Sequence, residues 1–208
     1  MSTNHEPEVA DMLDTLPAVT EAELRALHDR LADSADSSGV LDVAYRTLDT
    51  PVGRLLLAAT PKGLVRVAYD TENHDQVLTI LAAQLSPRIL SGPRRLDTAA
   101  REIDEYFAGL RRDFDLPLDF SLSKGFRAVV LHHLPDIAYG HTASYAAVAA
   151  AAGHPKAVRA VGTACATNPM PVVVPCHRVI RSNGSFGQYV GGPAAKQALL
   201  ALEALEAA

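Results

Sequence analysis

Three short β-rich runs, separated by two similar turns, set the strongest limit on what this chain can fold into. The runs are Val43–Leu48, Arg54–Ala59 and Leu64–Tyr69. Between them lie Thr50-Pro51-Val52-Gly53 and Thr60-Pro61-Lys62-Gly63, where Pro and Gly supply the backbone angles of tight turns. Connections this short join antiparallel neighbours, so the spacing predicts an antiparallel meander.

Helical patterns dominate the rest of the chain. Two helices are predicted near Asp75–Leu85 and Thr98–Ala108, and the Pro117 region is the predicted boundary between two lobes. We therefore predict an α+β fold. Its N-terminal lobe, residues 41–120, has an antiparallel sheet with flanking helices, and its C-terminal lobe, residues 121–208, is mostly helical.

Residues 1–40 form a predicted N-terminal extension. Residues 1–18 are acidic and polar and are expected to be mobile. Thr20 and Glu23 have capping-box spacing, which predicts a helix start, and residues 34–39 have the composition of a linker. Because the apolar residues of this helix share one stripe, we expect it to dock on the first lobe in preference to a partner: Leu24, Leu27 and Leu31.

The composition is typical of an ordinary globular protein and excludes several classes. No apolar run is long enough to cross a bilayer, and no signal-peptide pattern is present, so a cytoplasmic location is expected. The two cysteines, Cys165 and Cys176, are too few for a disulfide framework. No Cys/His group has zinc-finger spacing, and we expect no metal site.

Charge is distributed unevenly along the chain. Residues 1–120 carry 12 Lys and Arg against 21 Asp and Glu, whereas residues 121–208 carry 7 against 3. A basic C-terminal lobe favours a polyanionic partner, although uneven charge alone is a weak indication.

A helix pair is predicted at the start of the basic lobe. Ser144-Tyr145 opens an Ala-rich helix that stops at Gly153, and a second helix is predicted over Lys156–Thr167, with Pro155 at its first position. This is a helix-turn-helix pattern, which serves either packing or DNA binding. The second helix has small side chains and lacks the long polar ones that read base edges in the major groove, which favours the minor groove.

The segment Pro175-Cys176-His177-Arg178-Val179 carries the chemistry. It follows the apolar run Val172–Val174, which we interpret as a short buried strand ended by Pro175. His177 and Arg178 favour the thiolate of Cys176, whereas Cys165 has the features of a buried core residue. Neighbours in an extended segment point opposite ways, so a water is expected between Cys176 and His177. A carboxylate to hold the imidazole could come from any acid of the basic lobe: Asp136, Glu203 or Glu206.

Pro175–Ile180 resembles the active-site signature of the O6-alkylguanine-DNA alkyltransferases. The resemblance extends over about residues 41–205 and includes further blocks: Glu105–Gly109, Leu116–Asp119, Ser144-Tyr145, Pro155–Gly162, Asn168-Pro169, Gly187–Gly192 and Lys196–Glu203.

The resemblance implies a repair protein whose C-terminal lobe binds double-stranded DNA through the minor groove and accepts an alkyl group. Cys176 would take that group from O6-alkylguanine, or from O4-alkylthymine, in one irreversible turnover without a cofactor. The DNA-binding residues would be Lys156, Ala157, Arg159, Gly162 and Tyr145. Arg159 would fill the gap left by the flipped nucleotide, and Tyr145 would help to rotate it. No obligate protein partner is implied.

The same resemblance assigns roles around the thiol. His177 would be the water-mediated base, Glu203 would orient it, and Asn168 would join the helix pair to the active-site segment. Tyr145, Tyr189 and Val190 would line the guanine pocket, where the Val179 carbonyl would accept from the exocyclic amine of the base. Val190 departs from the family, since many members carry Ser there, and the zinc ligands that some members have in the first lobe are absent.

Two alternatives share parts of this pattern. A lesion-binding protein without transfer chemistry would use the same helix pair, although the set of Cys176, His177 and Glu203 argues against it. A thiol hydrolase would use Cys176 and His177 but would turn over many times.

Overall fold

The first half of the described part of the chain contains a four-stranded sheet. The computed structural model describes residues 19–207, with side chains to residue 204. Strands β1 (Val43–Thr50), β2 (Gly53–Thr60) and β3 (Gly63–Tyr69) form the predicted antiparallel meander. A short strand that the sequence did not indicate, β4 (Ile89–Ser91), pairs parallel with β1, so the order is β3-β2-β1-β4.

The described residues contain seven α-helices. Three of them lie in the first half of the chain with the sheet, and four build the second half. The predicted helices are found, with ends that shift by one or a few residues, and the predicted α+β fold is confirmed. A second, two-stranded parallel pair joins β5 (Ala143–Ser144) to β6 (Val179–Ile180). The helices are α1 (Glu21–Ser37), α2 (His74–Gln84), α3 (Asp97–Phe107), α4 (Phe126–His133), α5 (Tyr145–Ala151), α6 (Val158–Ala166) and α7 (Gly192–Ala207).

Both faces of strand β2 are buried, which explains its continuous apolar sequence. Leu55 and Leu57 belong to a large core that also contains Leu131 of α4 and Leu199 of α7. Leu56 points the other way, into a smaller cluster beneath α2. The large core thus crosses the Pro117 region, and the division into lobes at residue 120 remains a prediction.

Helix α1 docks through its C-terminal end and not through its leucines. The capping box of Thr20 and Glu23 is present. Ala32 is buried at 4%, and Asp33 and Asp36 pair with Arg94 and Arg95. The predicted stripe of Leu24, Leu27 and Leu31 remains 48%, 49% and 53% exposed, so docking through that stripe was wrong. The linker predicted at 34–39 was also wrong in part, because the helix continues to Ser37. The expected mobility of residues 1–18 lies outside the described residues.

The turn of the helix pair is longer than predicted. Helix α6 begins at Val158, not at Lys156, and Pro155 is not its first residue. Instead the Ala157 amide donates to the His154 carbonyl at 2.8 Å, which closes a turn with Pro155 at its second position. The fixed φ of proline suits that position.

The buried strand predicted at Val172–Val174 was wrong. These residues form turns, Val172 has a φ of +73°, and the Val174 amide donates to the Met170 carbonyl at 2.8 Å. Prolines at positions 169, 171 and 175 remove the amide donors that a strand ladder needs. Cys176 is therefore held by a folded loop.

A pair of substitutions tests how α1 docks. Ala32→Asp places a charge in the buried contact, and we expect it to lower the free energy of unfolding by about 1–3 kcal/mol. Leu31→Asp, one residue away on the exposed face, should change it by less than about 0.5 kcal/mol. Urea unfolding of the full chain measures both. Equal losses would contradict this docking geometry.

Candidate active site

Cys176 lies at the start of a short 3-10 helix, Cys176–Arg178, and is only 1% exposed. The side-chain amide of Asn168 donates to its sulfur at 3.1 Å and to the Val174 carbonyl at 2.8 Å. The Asn168 side-chain oxygen accepts from the Met170 amide at 3.0 Å. One buried asparagine just after α6 therefore fixes both the thiol and the loop that precedes it.

The His177 imidazole is paired with Glu203. Its Nε2 lies 2.8 Å from Glu203 Oε1, which makes Nε2 the protonated nitrogen in a neutral ring. Within the described residues the buried Nδ1 of His177 has no hydrogen-bond partner. Burial lowers the pKa of His177, although Glu203 opposes the shift, so the ring is held neutral with a free lone pair on Nδ1. This is the protonation state that a general base requires.

Glu203 is the carboxylate that meets the imidazole. It is 1% exposed and also accepts from the Tyr106 hydroxyl at 2.8 Å and the Gly140 amide at 3.2 Å. Burial acts against ionisation, but hydrogen bonds from His177 and Arg178 prevail and lower the pKa of Glu203 to about 2. Of the other candidates, Asp136 lies 3.2 Å from the partly exposed His133 instead, and the side chain of Glu206 is outside the described residues.

Arg178 does not supply free positive charge to the thiol, which corrects the sequence-based interpretation. Its guanidinium is buried and binds both oxygens of Glu203 at 2.9–3.1 Å and the Ile137 carbonyl at 2.6 Å. The cation near the thiol is Lys196 of α7, which is fully buried and donates to the Val179 carbonyl at 2.6 Å.

Opposing forces set the pKa of the thiol. Burial raises the pKa of Cys176 to about 11, while the hydrogen bond from Asn168 and the charge of Lys196 lower it. The pKa of Lys196 is itself lowered by burial, and a negative charge on Cys176 would raise it. Thiolate and ammonium thus stabilise each other, and loss of the thiol proton is the step that the surroundings must assist.

An open groove of about 560 Å³ lies along α6. Tyr145, Arg159, Gly162 and Arg181 line it, together with Gln188 and other residues, none of which is acidic. A Cβ on Gly162 would meet nothing within 4 Å, so the helix surface is open there. Arg159 and the predicted contact Lys156 are exposed, and Ala157 is partly exposed at the start of α6.

A second cavity of about 470 Å³ adjoins the groove and is lined by the predicted pocket residues Tyr189 and Val190. Arg181 and Gly187 line both spaces. Gly187 is required there, since a Cβ would lie 2.0 Å from the Tyr145 hydroxyl. Val179 is buried, and its carbonyl accepts a hydrogen bond from Lys196.

The structure therefore gathers most of the predicted residues into two groups: Cys176, His177, Glu203, Asn168 and Val179 in the buried site, and Tyr145, Arg159, Gly162, Tyr189 and Val190 around the groove and cavity. Lys156 and Ala157 line neither space and lie just before α6. Sequence reasoning missed the parts played by Lys196, Arg181 and Tyr106. Lys196 had one available signal, a lone lysine amid the apolar residues of a helix, whereas the contact between Tyr106 and Glu203 spans 97 positions and leaves no local pattern.

Two further properties concern only the described residues. In that range no group of three or more His, Cys, Asp and Glu side chains is placed to hold a metal ion. No helix there is both long and apolar enough to cross a membrane.

Comparisons with known proteins show which family the chain resembles. Residues 43–120 match the family model of the 6-O-methylguanine DNA methyltransferase ribonuclease-like domain, and residues 125–205 match that of the DNA binding domain. The methylated-DNA–protein-cysteine methyltransferase of Mycolicibacterium paratuberculosis is 39% identical over 77% of this chain and 92% of its own. The crystal structure of Mycobacterium tuberculosis O6-methylguanine methyltransferase superposes with a TM-score of 0.70 and 36% identity, covering 80% of this chain and 95% of that one.

A third similar protein was crystallised with nucleic acid. Mycobacterium tuberculosis OGT in complex with DNA has a TM-score of 0.67 and 35% identity to this chain, covering 78% of it and 94% of its own length. The identities and coverage establish the family: this chain belongs to the methylated-DNA–protein-cysteine methyltransferases.

Proposed function

We propose that this protein repairs DNA by moving the alkyl group of O6-alkylguanine, or of O4-alkylthymine, onto Cys176 in a single irreversible turnover. The observation that carries the proposal is the arrangement around the thiol. A buried cysteine lies at 3.1 Å from Asn168, beside a neutral histidine whose other nitrogen is held by Glu203 at 2.8 Å. The family membership supports the same reaction.

The proposed chemistry balances without a cofactor. A water carries the thiol proton to Nδ1 of His177, and Glu203 stabilises the imidazolium that forms. The Cys176 sulfur attacks the alkyl carbon in line with the bond to the guanine oxygen; a C–S bond forms as the C–O bond breaks. The departing guanine takes up a proton, which balances the one lost by the thiol. A thioether does not hydrolyse, so each molecule acts once.

Lys196 supports the charged stage of this reaction. Its buried ammonium stabilises the thiolate of Cys176 electrostatically. It also holds the Val179 carbonyl, which we propose accepts from the exocyclic amine of the guanine through its second lone pair. Arg178 has no part in this step, because Glu203 neutralises it.

DNA is proposed to bind in its minor groove along α6. The small residues Ala157 and Gly162 permit close approach, Lys156 contacts phosphate, and Arg159 fills the gap left by the flipped nucleotide. Tyr145 helps to rotate that nucleotide towards the cavity beside Tyr189 and Val190. Arg181, which lines both spaces, adds a second cation along the path. A cytoplasmic location and the absence of an obligate protein partner belong to the same proposal, since a reducing compartment preserves the thiol.

The transfer itself predicts a change in mass. Incubation with a duplex containing O6-methylguanine should add one methyl group per protein molecule to Cys176, because no group regenerates the thiol. Intact-protein and peptide mass spectrometry measure the gain. Cys176→Ala should abolish it while DNA affinity remains.

Cys165→Ala is the matched control and should keep the full gain, since that thiol is a core residue. An unmodified protein that binds the lesion would identify a non-catalytic binding protein, and more than one product per molecule would identify a hydrolase.

Arg159→Ala tests base extrusion. Extruding a base costs a few kcal/mol, so loss of the side chain that fills the gap should slow transfer from duplex DNA by about 10–100-fold. Transfer from free O6-methylguanine should change less than about twofold. Single-turnover rates on the two substrates measure the difference, with Arg101→Ala, an exposed arginine of α3, as the control. Equal losses on both substrates would refute the role.

Lys196→Met tests the buried cation. Removal of its charge should shift the pH dependence of transfer from free O6-methylguanine upwards by about one pH unit, because the pKa of Cys176 rises when the thiolate loses a nearby positive charge. At neutral pH the rate should therefore fall, and it should recover at higher pH. Lys156→Met removes an exposed lysine and should leave the profile unchanged. A lower rate with an unshifted profile would show that Lys196 only packs.

A further inference from the structure

Tyr69, the last residue of strand β3, contacts Tyr189 from the opposite half of the chain. Its hydroxyl lies 3.0 Å from the Tyr189 hydroxyl, and the two rings meet edge to face with centroids 5.9 Å apart. Both side chains are buried, at 3% and 8% exposure. Two phenols separated by 120 positions thus share one hydrogen bond, and one of them, Tyr189, lines the cavity together with Val190.

The loop that carries Tyr189 is shaped around Tyr69. A Cβ on Gly191 would lie 2.4 Å from the Tyr69 ring, so only glycine permits this approach. The Gly192 amide donates to the Tyr189 carbonyl at 3.0 Å. This hydrogen bond closes a turn that contains Val190 and Gly191. The Tyr189 ring also meets the His177 ring edge to face, with centroids 6.4 Å apart. Displacement of Tyr69 would therefore loosen the Tyr189 ring, which borders His177, the proposed general base.

Strand β3 also holds the other side of the thiol loop. The Val67 amide donates to the Pro169 carbonyl at 2.8 Å, directly after Asn168. Arg66 contacts the same carbonyl at 3.4 Å and pairs with Glu72, whose carboxylate accepts from the Tyr69 amide at 2.9 Å. One strand end is thereby fixed against the segments on both sides of Cys176.

We propose that Tyr69 is a positioning residue for alkyl transfer, which acts by fixing the ring of Tyr189 against the incoming base. This inference rests on the proposed function, because it assumes that the base enters the cavity beside Tyr189. Burial is the main cause that raises the pKa of both phenols, and the nearby charge of Cys176 adds to it, which supports placing the pair close to the reacting sulfur. Both hydroxyls remain protonated at neutral pH and can hold the hydrogen bond throughout.

The test is Tyr69→Phe, which removes the hydroxyl and keeps the ring that packs on Gly191. A hydrogen bond of this kind contributes enough for about a three- to tenfold effect. In saturable single-turnover kinetics with free O6-benzylguanine, we expect the half-saturation concentration to rise by about that factor. The limiting transfer rate and the affinity for undamaged DNA should change less than about twofold. Tyr189→Phe should give the same split, and the double variant should be no worse than either single one, since all three lack one bond.

Tyr45→Phe, on β1 of the same sheet, is the matched control and should leave both parameters unchanged. Additive effects in the double variant, or unchanged kinetics in Tyr69→Phe, would overturn the inference. A purely structural role predicts that half-saturation and limiting rate worsen equally, together with a fall in thermal midpoint. That result would also overturn the inference. Wild-type protein that gains no alkyl mass on Cys176 would instead refute the proposed function, and the two failures are therefore distinguishable.

Discussion

The buried carboxylate of Glu203 is the group on which the arrangement of the active site depends. It accepts hydrogen bonds from four other residues on three separate segments of the chain: Tyr106, Gly140, His177 and Arg178. Removal of one partner from a buried ion pair typically costs about 3–5 kcal/mol, since an uncompensated charge remains. The site is therefore coupled to the fold, because the group that orients the imidazole also joins α3 to α7.

This sharing explains why a histidine and an arginine follow the cysteine. The short 3-10 helix turns His177 and Arg178 inwards to one carboxylate and leaves Cys176 on the side of Asn168. Arg178 neutralises Glu203, so the carboxylate can accept from a neutral imidazole without drawing its proton away. If Arg178 were instead the cation of the thiol, Glu203 would remain an unbalanced buried charge. Lys196, on the same helix as Glu203, supplies the positive charge that the thiolate needs.

The parts of the fold that depend on local patterns were predictable, and those that depend on distant contacts were not. The meander followed from two Pro/Gly turns, and the start of α1 followed from the Thr20–Glu23 box. By contrast, Val172–Val174 has strand composition but no available ladder, since Pro171 and Pro175 flank it and Asn168 bonds the Val174 carbonyl and the Met170 amide. The leucine stripe of α1 predicted the wrong docking face, because the helix buries Ala32 instead and is held by ion pairs from Asp33 and Asp36, which the apolar pattern does not show.

The same distinction applies to the site. The resemblance selected Glu203 among three carboxylates, which local geometry alone had left open, and its contact with His177 is present. The sequence around Arg178 indicated a free positive charge near the thiol. The ion pair of Arg178 with Glu203 depends on the folded chain and leaves no local sequence pattern. Lys196 and Tyr69 belong to the same class: each is an ordinary residue in its own segment. Their relation to Cys176 arises because α7 and β3 converge on the loop that holds the thiol, so the N-terminal sheet contributes directly to the shape of the site.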